Sequence, residues 1–291
     1  MFEGSLVAIV TPFKNGKVDE VALRGLVKFQ ITEGTSGIVP CGTTGESATL
    51  TNDEHHEVVS IVVDACAGRV PVLAGTGSNS TQEAIQLTKH AQEAGASGAL
   101  LITPYYNKPS QEGLFQHFKA VAKETDLPII LYNVPGRTSV NMLPHTVERL
   151  AAIDNIVGIK EASGSLPQIG EIIDACGKDF NVLSGDDILL WPILAIGGCG
   201  VISVTANILP GKMAALCKAA ADHDVDKCRA LHYELRVIND TMFIDTNPVP
   251  VKTALSLMGK IGDEIRSPLV PLSDDDRSQL QSVLREYSLV D

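Results

Sequence analysis

Eight short β-branched runs, each followed by an amphipathic helical stretch, constrain this 291-residue chain more than any other feature. The runs fall at residues 6–10, 37–41, 70–74, 98–103, 128–132, 156–160, 181–184 and 200–204. The helical periodicity falls between them, at 21–33, 53–67, 81–94, 111–125, 143–152, 166–176, 188–196 and 210–222. Strands that alternate with helices pair in parallel through right-handed crossovers. Eight such units are the count of a (β/α)8 barrel. An open doubly wound sheet usually carries Gly-x-Gly-x-x-Gly after its first strand, whereas here that strand runs into Thr11-Pro12-Phe13. The expected fold is therefore an α/β (β/α)8, or TIM, barrel over 1–223. From 224 onward the pattern is helical only, at 223–242, 250–258 and 274–287, which predicts a C-terminal helical appendage over 224–291.

Bulk properties narrow the function classes. Net charge is −12, from 23 basic and 35 acidic side chains, and no basic cluster exceeds a scattered pair. That argues against nucleic acid and against anionic membranes as partners. Apolar runs are strand-length, so no membrane span is expected. The N-terminus lacks a basic n-region and enters a strand directly, which predicts no signal peptide. The six cysteines include no Cys-x-x-Cys and no zinc-like spacing, so they read as small buried residues of a reduced, cytoplasmic protein with no metal site.

Polar residues at the C-terminal ends of barrel strands face the active site. Here Gly42-Thr-Thr-Gly-Glu-Ser47, Thr103-Pro-Tyr-Tyr-Asn107, Tyr132-Asn-Val-Pro-Gly-Arg-Thr138, Ser184-Gly-Asp-Asp187 and Ser203-Val-Thr-Ala-Asn207 all stand there. Lys160 closes the sixth apolar run. Desolvation penalises an ammonium and favours the neutral amine, a nucleophile suited to Schiff-base chemistry on a carbonyl. A lysine that snorkels, or that pairs with Glu161, is the alternative. Residues 42–47 offer hydroxyls and backbone N–H groups suited to a carboxylate, or else form a turn with a helix cap. Tyr132 is either a proton shuttle or a core tyrosine. Arg137 is either a carboxylate clamp or a solvated side chain. Asp186 and Asp187 precede a helix, so capping accounts for at least one. His55 and His56 lie among acids, where a solvated face is expected. No Gly-x-x-x-x-Gly-Lys-[Ser/Thr] loop and no His-Glu-x-x-His occur, so neither a phosphorylated substrate nor a cofactor is implied.

With these residues in view, the chain closely resembles the dihydrodipicolinate synthase family of pyruvate-dependent Schiff-base aldolases. The likeness runs from Gly4-Ser-Leu-Val-Ala-Ile-Val-Thr-Pro12 into the C-terminal helices. Gly42-Thr-Thr-Gly-Glu-Ser-Ala48, Pro104-Tyr-Tyr-Asn-Lys-Pro109, Tyr132-Asn-Val-Pro-Gly-Arg-Thr138 and Gly158-Ile-Lys-Glu-Ala162 carry it. The resemblance implies condensation of pyruvate with L-aspartate 4-semialdehyde on the way to diaminopimelate and lysine. It implies an imine on Lys160, and a proton relay of Tyr132, Thr43 and a neighbouring subunit's Tyr106. By the same resemblance Thr44 binds the pyruvate carboxylate, Arg137 receives that of the acceptor, and Gly185 and Ile202 line the site. A homotetramer built as a dimer of dimers follows from it, as does feedback by lysine at Ser47, Ala48, Asn52, His55, Asn79, Glu83 and Tyr105. Asn52 stands where well-known sensitive members have histidine.

Two other readings compete. A sialic-acid lyase or sugar-acid aldolase shares the barrel and the lysine, but typically has Gly-Ser-Thr-Gly-Glu and lacks the arginine at 137. A catalytically dead lysine sensor would have lost the lysine or the tyrosine.

Overall fold

A computed structural model describes residues 2–291. Eight parallel strands form the barrel: β1 (Gly4–Ala8), β2 (Gly37–Val39), β3 (Leu73–Gly75), β4 (Gly98–Ile102), β5 (Ile129–Asn133), β6 (Ile156–Glu161), β7 (Asn181–Ser184) and β8 (Gly200–Ser203). Each pairs with its neighbours in sequence, and β1 pairs with β8 through Leu6 and Ile202. Only one parallel bridge, Ile38 with Val72, joins β2 to β3. Around it Ile38 N–H donates to Pro71 O at 3.0 Å and Gly75 N–H to Pro40 O at 2.9 Å, so the circle is nearly closed.

Side chains alternate along each strand. Leu6, Val39, Leu100, Ile130, Leu183 and Ile202 fill the barrel, together with Phe2. Val7, Ile38, Leu101, Leu131, Ile159 and Val201 point outward into the layer shared with the helices. Full burial of one such side chain is worth about 1.5–3 kcal/mol, which fixes the register because a one-residue slip would exchange the two layers.

The outer ring is α1 (Glu20–Thr32), α2 (Asn52–Cys66), α3 (Thr81–Glu93), α4 (Gln111–Ala122), α5 (Pro144–Ala151), α6 (Leu166–Cys176), α7 (Leu190–Ala195) and α8 (Pro210–Ala221). Three further helices follow: α9 (Val225–Thr241), α10 (Val249–Leu257) and α11 (Asp274–Glu286). Short polar residues set many starts. Thr51 Oγ1 accepts from Glu54 N–H at 3.2 Å while Glu54 Oε2 accepts from Thr51 N–H at 3.0 Å, a reciprocal cap for α2.

Departures from the sequence reading have local causes. Helix α4 stops at Ala122, before the expected 125, because Asn155 Nδ2 donates to the carbonyls of both Ala122 and Thr125 at 3.0 Å. A hairpin of Phe13–Lys14 and Lys17–Val18 was not anticipated. Its signal was present: Asn15 and Gly16 both take positive φ, at 53° and 77°, as a tight hairpin turn requires. Arg137, expected in a turn, lies in a single helical turn, Pro135–Thr138. Gly4 N–H donates to Cys199 O at the end of the barrel away from the polar strand ends, which places the Gly197-Gly-Cys-Gly200 stretch before β8 at the base.

Candidate active site

Parallel register places Tyr132 of β5 directly beside Lys160 of β6. Lys160 is only 6% exposed, and its Nζ lies 4.3 Å from the centre of the Tyr132 ring. Glu161, the next residue, points to the opposite face of the strand. There it accepts from Asn133 Nδ2 at 3.0 Å, Ser163 N–H at 2.6 Å and Gln168 Nε2 at 3.2 Å. Burial pushes the Glu161 carboxyl up from its ordinary range, and these donors pull it back. The expected alternative, a Lys160–Glu161 pair, is therefore excluded by strand alternation. No ion pair engages Lys160 among the described residues.

Lys160 opens into a cavity of about 760 Å³ lined also by Thr43, Thr44, Tyr132, Arg137, Gly185 and Asp186. A Cβ on Gly185 would sit 2.6 Å from Ala162 Cβ and 3.1 Å from Lys160 Cε, so a glycine here leaves room for the lysine. Ile202 is different: it is wholly buried in the barrel interior and does not line the cavity. The resemblance implied it; its side chain packs in the inner apolar layer together with Tyr132 and Val134, which do line the cavity.

The turn at 42–47 is built on itself. Gly45 N–H and Glu46 N–H donate to the carbonyls of Gly42 and Thr43, each at 3.1 Å. The amides of Thr43 and Thr44 donate to no backbone carbonyl among the described residues, which leaves them free for an anion. Asn247 Nδ2 donates to Thr44 Oγ1 at 3.0 Å. Arg137 Nη2 donates to Asn247 O at 3.2 Å, so the guanidinium is steadied at the cavity mouth rather than freely solvated.

Sequence reasoning missed the contribution of the C-terminal segment. Asn239, Asp240, Phe243, Thr246 and Asn247 complete the wall. Their one signal in the sequence is the proline-marked stretch Thr246-Asn-Pro-Val-Pro250. Asp186 caps the turn that follows it, accepting from Ile188 N–H at 3.3 Å. Burial, then Asp187 and Asp240, raise its carboxyl above the ordinary range. Asp187 is spent on structure, accepting from the amides of Val204 and Thr205 at 2.9 Å.

A second cavity, of about 470 Å³, adjoins the first and shares Thr43, Tyr132, Arg137 and Asn247 with it. Ser47, Ala48, Asn52, His55, Glu83 and Tyr105 line it. Asn79 does not, although its carbonyl accepts from Asn107 Nδ2 at 2.8 Å on the adjacent loop. The expectation of a solvated His55 is corrected. It is 5% exposed, and its Nε2 is hydrogen-bonded to Gly75 O at 2.7 Å because α2 turns that face onto β3. Burial lowers its pKa, with His56 and His90 acting in the same direction. His56 instead stacks on His90, ring centres 3.7 Å apart. Ser78 Oγ donates to the Glu83 carboxylate. Tyr106, on the loop after β4, is 91% exposed and lines neither cavity.

All six cysteines are free. Among the described residues no group of three or more His, Cys, Asp or Glu could hold a metal ion, and no helix is long and apolar enough to cross a membrane.

Known proteins resemble this chain over nearly its whole length. A sequence profile of the Dihydrodipicolinate synthetase family matches residues 1–287. A 4-hydroxy-tetrahydrodipicolinate synthase of Geotalea uraniireducens is 60% identical over 290 residues, covering 100% of both chains. The chloride-inhibited dihydrodipicolinate synthase from Acinetobacter baumannii, solved in complex with pyruvate, superposes with a TM-score of 0.98 at 47% identity, covering 100% of both chains. An enzyme of the same family from Cyanidioschyzon merolae, solved with lysine bound, has a TM-score of 0.97 at 39% identity over 99% of each chain. With a profile match from end to end and a shared barrel, this chain belongs to the dihydrodipicolinate synthetase family.

Proposed function

We infer that this chain condenses pyruvate with L-aspartate 4-semialdehyde to give 4-hydroxy-tetrahydrodipicolinate, the reaction for which its relatives are named. The observation that carries this reading is Lys160. It is a buried lysine without a carboxylate partner, in a cavity whose rim bears two free turn amides and an arginine.

The Lys160 amine adds to the ketone of pyruvate, and loss of water leaves an imine. The Thr43 and Thr44 amides and the Thr44 hydroxyl hold the pyruvate carboxylate. A proton leaves the methyl carbon and the resulting enamine attacks the aldehyde, while Arg137 grips the acceptor's carboxylate in a fork. The acceptor's own amine then displaces Lys160 from the imine carbon, so the ring closes and the enzyme is regenerated. One water is lost overall. Tyr132, beside Lys160 in register, is placed to carry protons to and from the carbinolamine, with Thr43 next in line. Tyr106 completes that relay from a neighbouring subunit. Its 91% exposure on a protruding loop supports a role outside its own barrel, and with it a dimer of dimers.

Lysine acts as a feedback inhibitor in the adjoining cavity, with Glu83 toward its ammonium. The lining by Ser47, Ala48, Asn52, His55 and Tyr105, and the lysine-bound relative, support this. The barrel of residues 1–223 carries the chemistry, the helices of 224–291 close its wall, and the enzyme works in the cytoplasm.

Borohydride reduction in the presence of pyruvate, followed by intact mass and peptide mapping, tests the central step. A single reduced adduct on Lys160 is expected. No adduct, or one on another lysine, refutes the reading.

A further inference from the structure

Beneath the turn that carries Thr43 and Thr44, Lys252 of α10 donates a hydrogen bond to Glu46 Oε1. Their side chains are 1% and 2% exposed. The other carboxylate oxygen, Oε2, accepts from Arg266 N–H at 3.2 Å. Both oxygens of Glu46 are thus held by the C-terminal segment. The Lys252 ammonium also lies 4.4 Å from the centre of the Phe13 ring and the Arg266 guanidinium 4.1 Å from it, which adds cation–π contacts to the same knot.

Glu46 itself is in the left-handed region, with φ +54°. A non-glycine residue persists there only when its surroundings hold it. The reward is directional: Glu46 N–H closes onto Thr43 O, and the chain reverses with Thr43 and Thr44 facing the cavity. Asn247 grips the same turn at Thr44 Oγ1. The clamping partners lie 203 and 206 residues along the chain from Thr44 and Glu46.

We propose that Glu46 and Lys252 are positioning residues for the reaction: their buried ion pair fixes the turn that presents Thr43 and Thr44, so the C-terminal helices set pyruvate affinity without touching pyruvate. This rests on the reading of Thr43 and Thr44 as the pyruvate carboxylate site. A pair that served stability alone would behave differently. Replacing both members of a buried ion pair by neutral residues of similar volume often leaves stability unchanged or raised, whereas breaking it on one side strands a charge. The neutral pair can restore the fold, but without the Lys252 bond it grips the left-handed turn on the Arg266 side only.

The test is borohydride trapping at graded pyruvate, without acceptor, on the full-length wild type, the double variant Glu46→Gln/Lys252→Met and the single variant Glu46→Asp. For a double variant that melts cooperatively, the half-saturating pyruvate concentration is expected to rise at least about tenfold, equivalent to about 1.4 kcal/mol. The adduct at saturation should match the wild type. A folded double variant with the wild-type half-saturation overturns the proposal. If the double variant does not fold, Glu46→Asp decides, since it keeps the charge but withdraws the carboxylate by one methylene. Raised half-saturation then supports the clamp and the wild-type value overturns it. A wild type that forms no adduct overturns the proposed function itself, a result distinct from either variant outcome.

Discussion

Replacing Gly185 by alanine should cripple imine formation while leaving the barrel folded. The new methyl would lie 2.6 Å from Ala162 Cβ, 3.1 Å from Lys160 Cε and 3.2 Å from Glu161 O. Carbon atoms in contact prefer about 3.5–4.0 Å, so all three contacts are repulsive or tight. Ala162 Cβ cannot rotate away and Glu161 O belongs to the backbone of β6. The Lys160 side chain is the one flexible neighbour and is pushed aside, while the 2.6 Å contact with Ala162 is relieved only by a small shift of the backbone that carries the lysine. Overpacking of this kind costs about 1–3 kcal/mol. Because about 1.4 kcal/mol is tenfold, Lys160 displaced by that amount should form the imine about 5- to 150-fold more slowly. The assay is the rate of borohydride-trapped adduct at saturating pyruvate, paired with a thermal melt. If strands β6 and β7 parted instead, the melting temperature would fall and the surviving imine rate would stay near the wild type. A Gly185→Ala enzyme with unchanged imine rate and unchanged melt would refute the argument that this glycine makes room for the lysine.

Two further outcomes follow from the site and its surroundings. Arg137→Ala should leave pyruvate imine formation intact and lower kcat/KM for the aldehyde acceptor about 10- to 150-fold, since a charged hydrogen-bonded contact is worth about 1.5–3 kcal/mol; steady-state kinetics with each substrate varied would check it, and unchanged acceptor kinetics would remove Arg137 from the site. His117 of α4 sits 5% exposed against the start of α3, hydrogen-bonded to Thr81 Oγ1 at 2.9 Å, and burial pushes its pKa down from 6.5 to about 4. Its folded value lies below its unfolded value, so the unfolded chain binds the extra proton between those limits. The stability it contributes is complete above pH 6.5 and is lost as pH falls toward 4, by up to about 3 kcal/mol. Urea unfolding of wild type and His117→Gln across that window should show the steeper fall in the wild type, and parallel curves would contradict it.

The strand–helix alternation, the polar ring at the strand ends and the lysine at residue 160 were all visible in the sequence, because each depends on neighbours a few residues away. Strand alternation also put Lys160 and Tyr132 inward once their strands were recognised. What alternation could not show was the partner of each face. His55 looked solvated among its acidic neighbours, yet α2 turns it onto Gly75 O. Tyr105 lines the second cavity while Tyr106, one residue later with φ +71°, projects outward.

By itself, then, the sequence determined the kind of fold, the end of the barrel that gathers the polar residues and the lysine buried among them. Tertiary structure alone decided what surrounds that lysine. The Tyr132–Lys160 register, the space that Gly185 leaves, and the grip of Asn247 and Lys252 on the turn at 42–47 join residues on different strands or about 200 positions apart. Periodicity reports which face of an element is apolar. It carries no record of which distant segment will cover that face, because that choice is made by packing the whole chain at once.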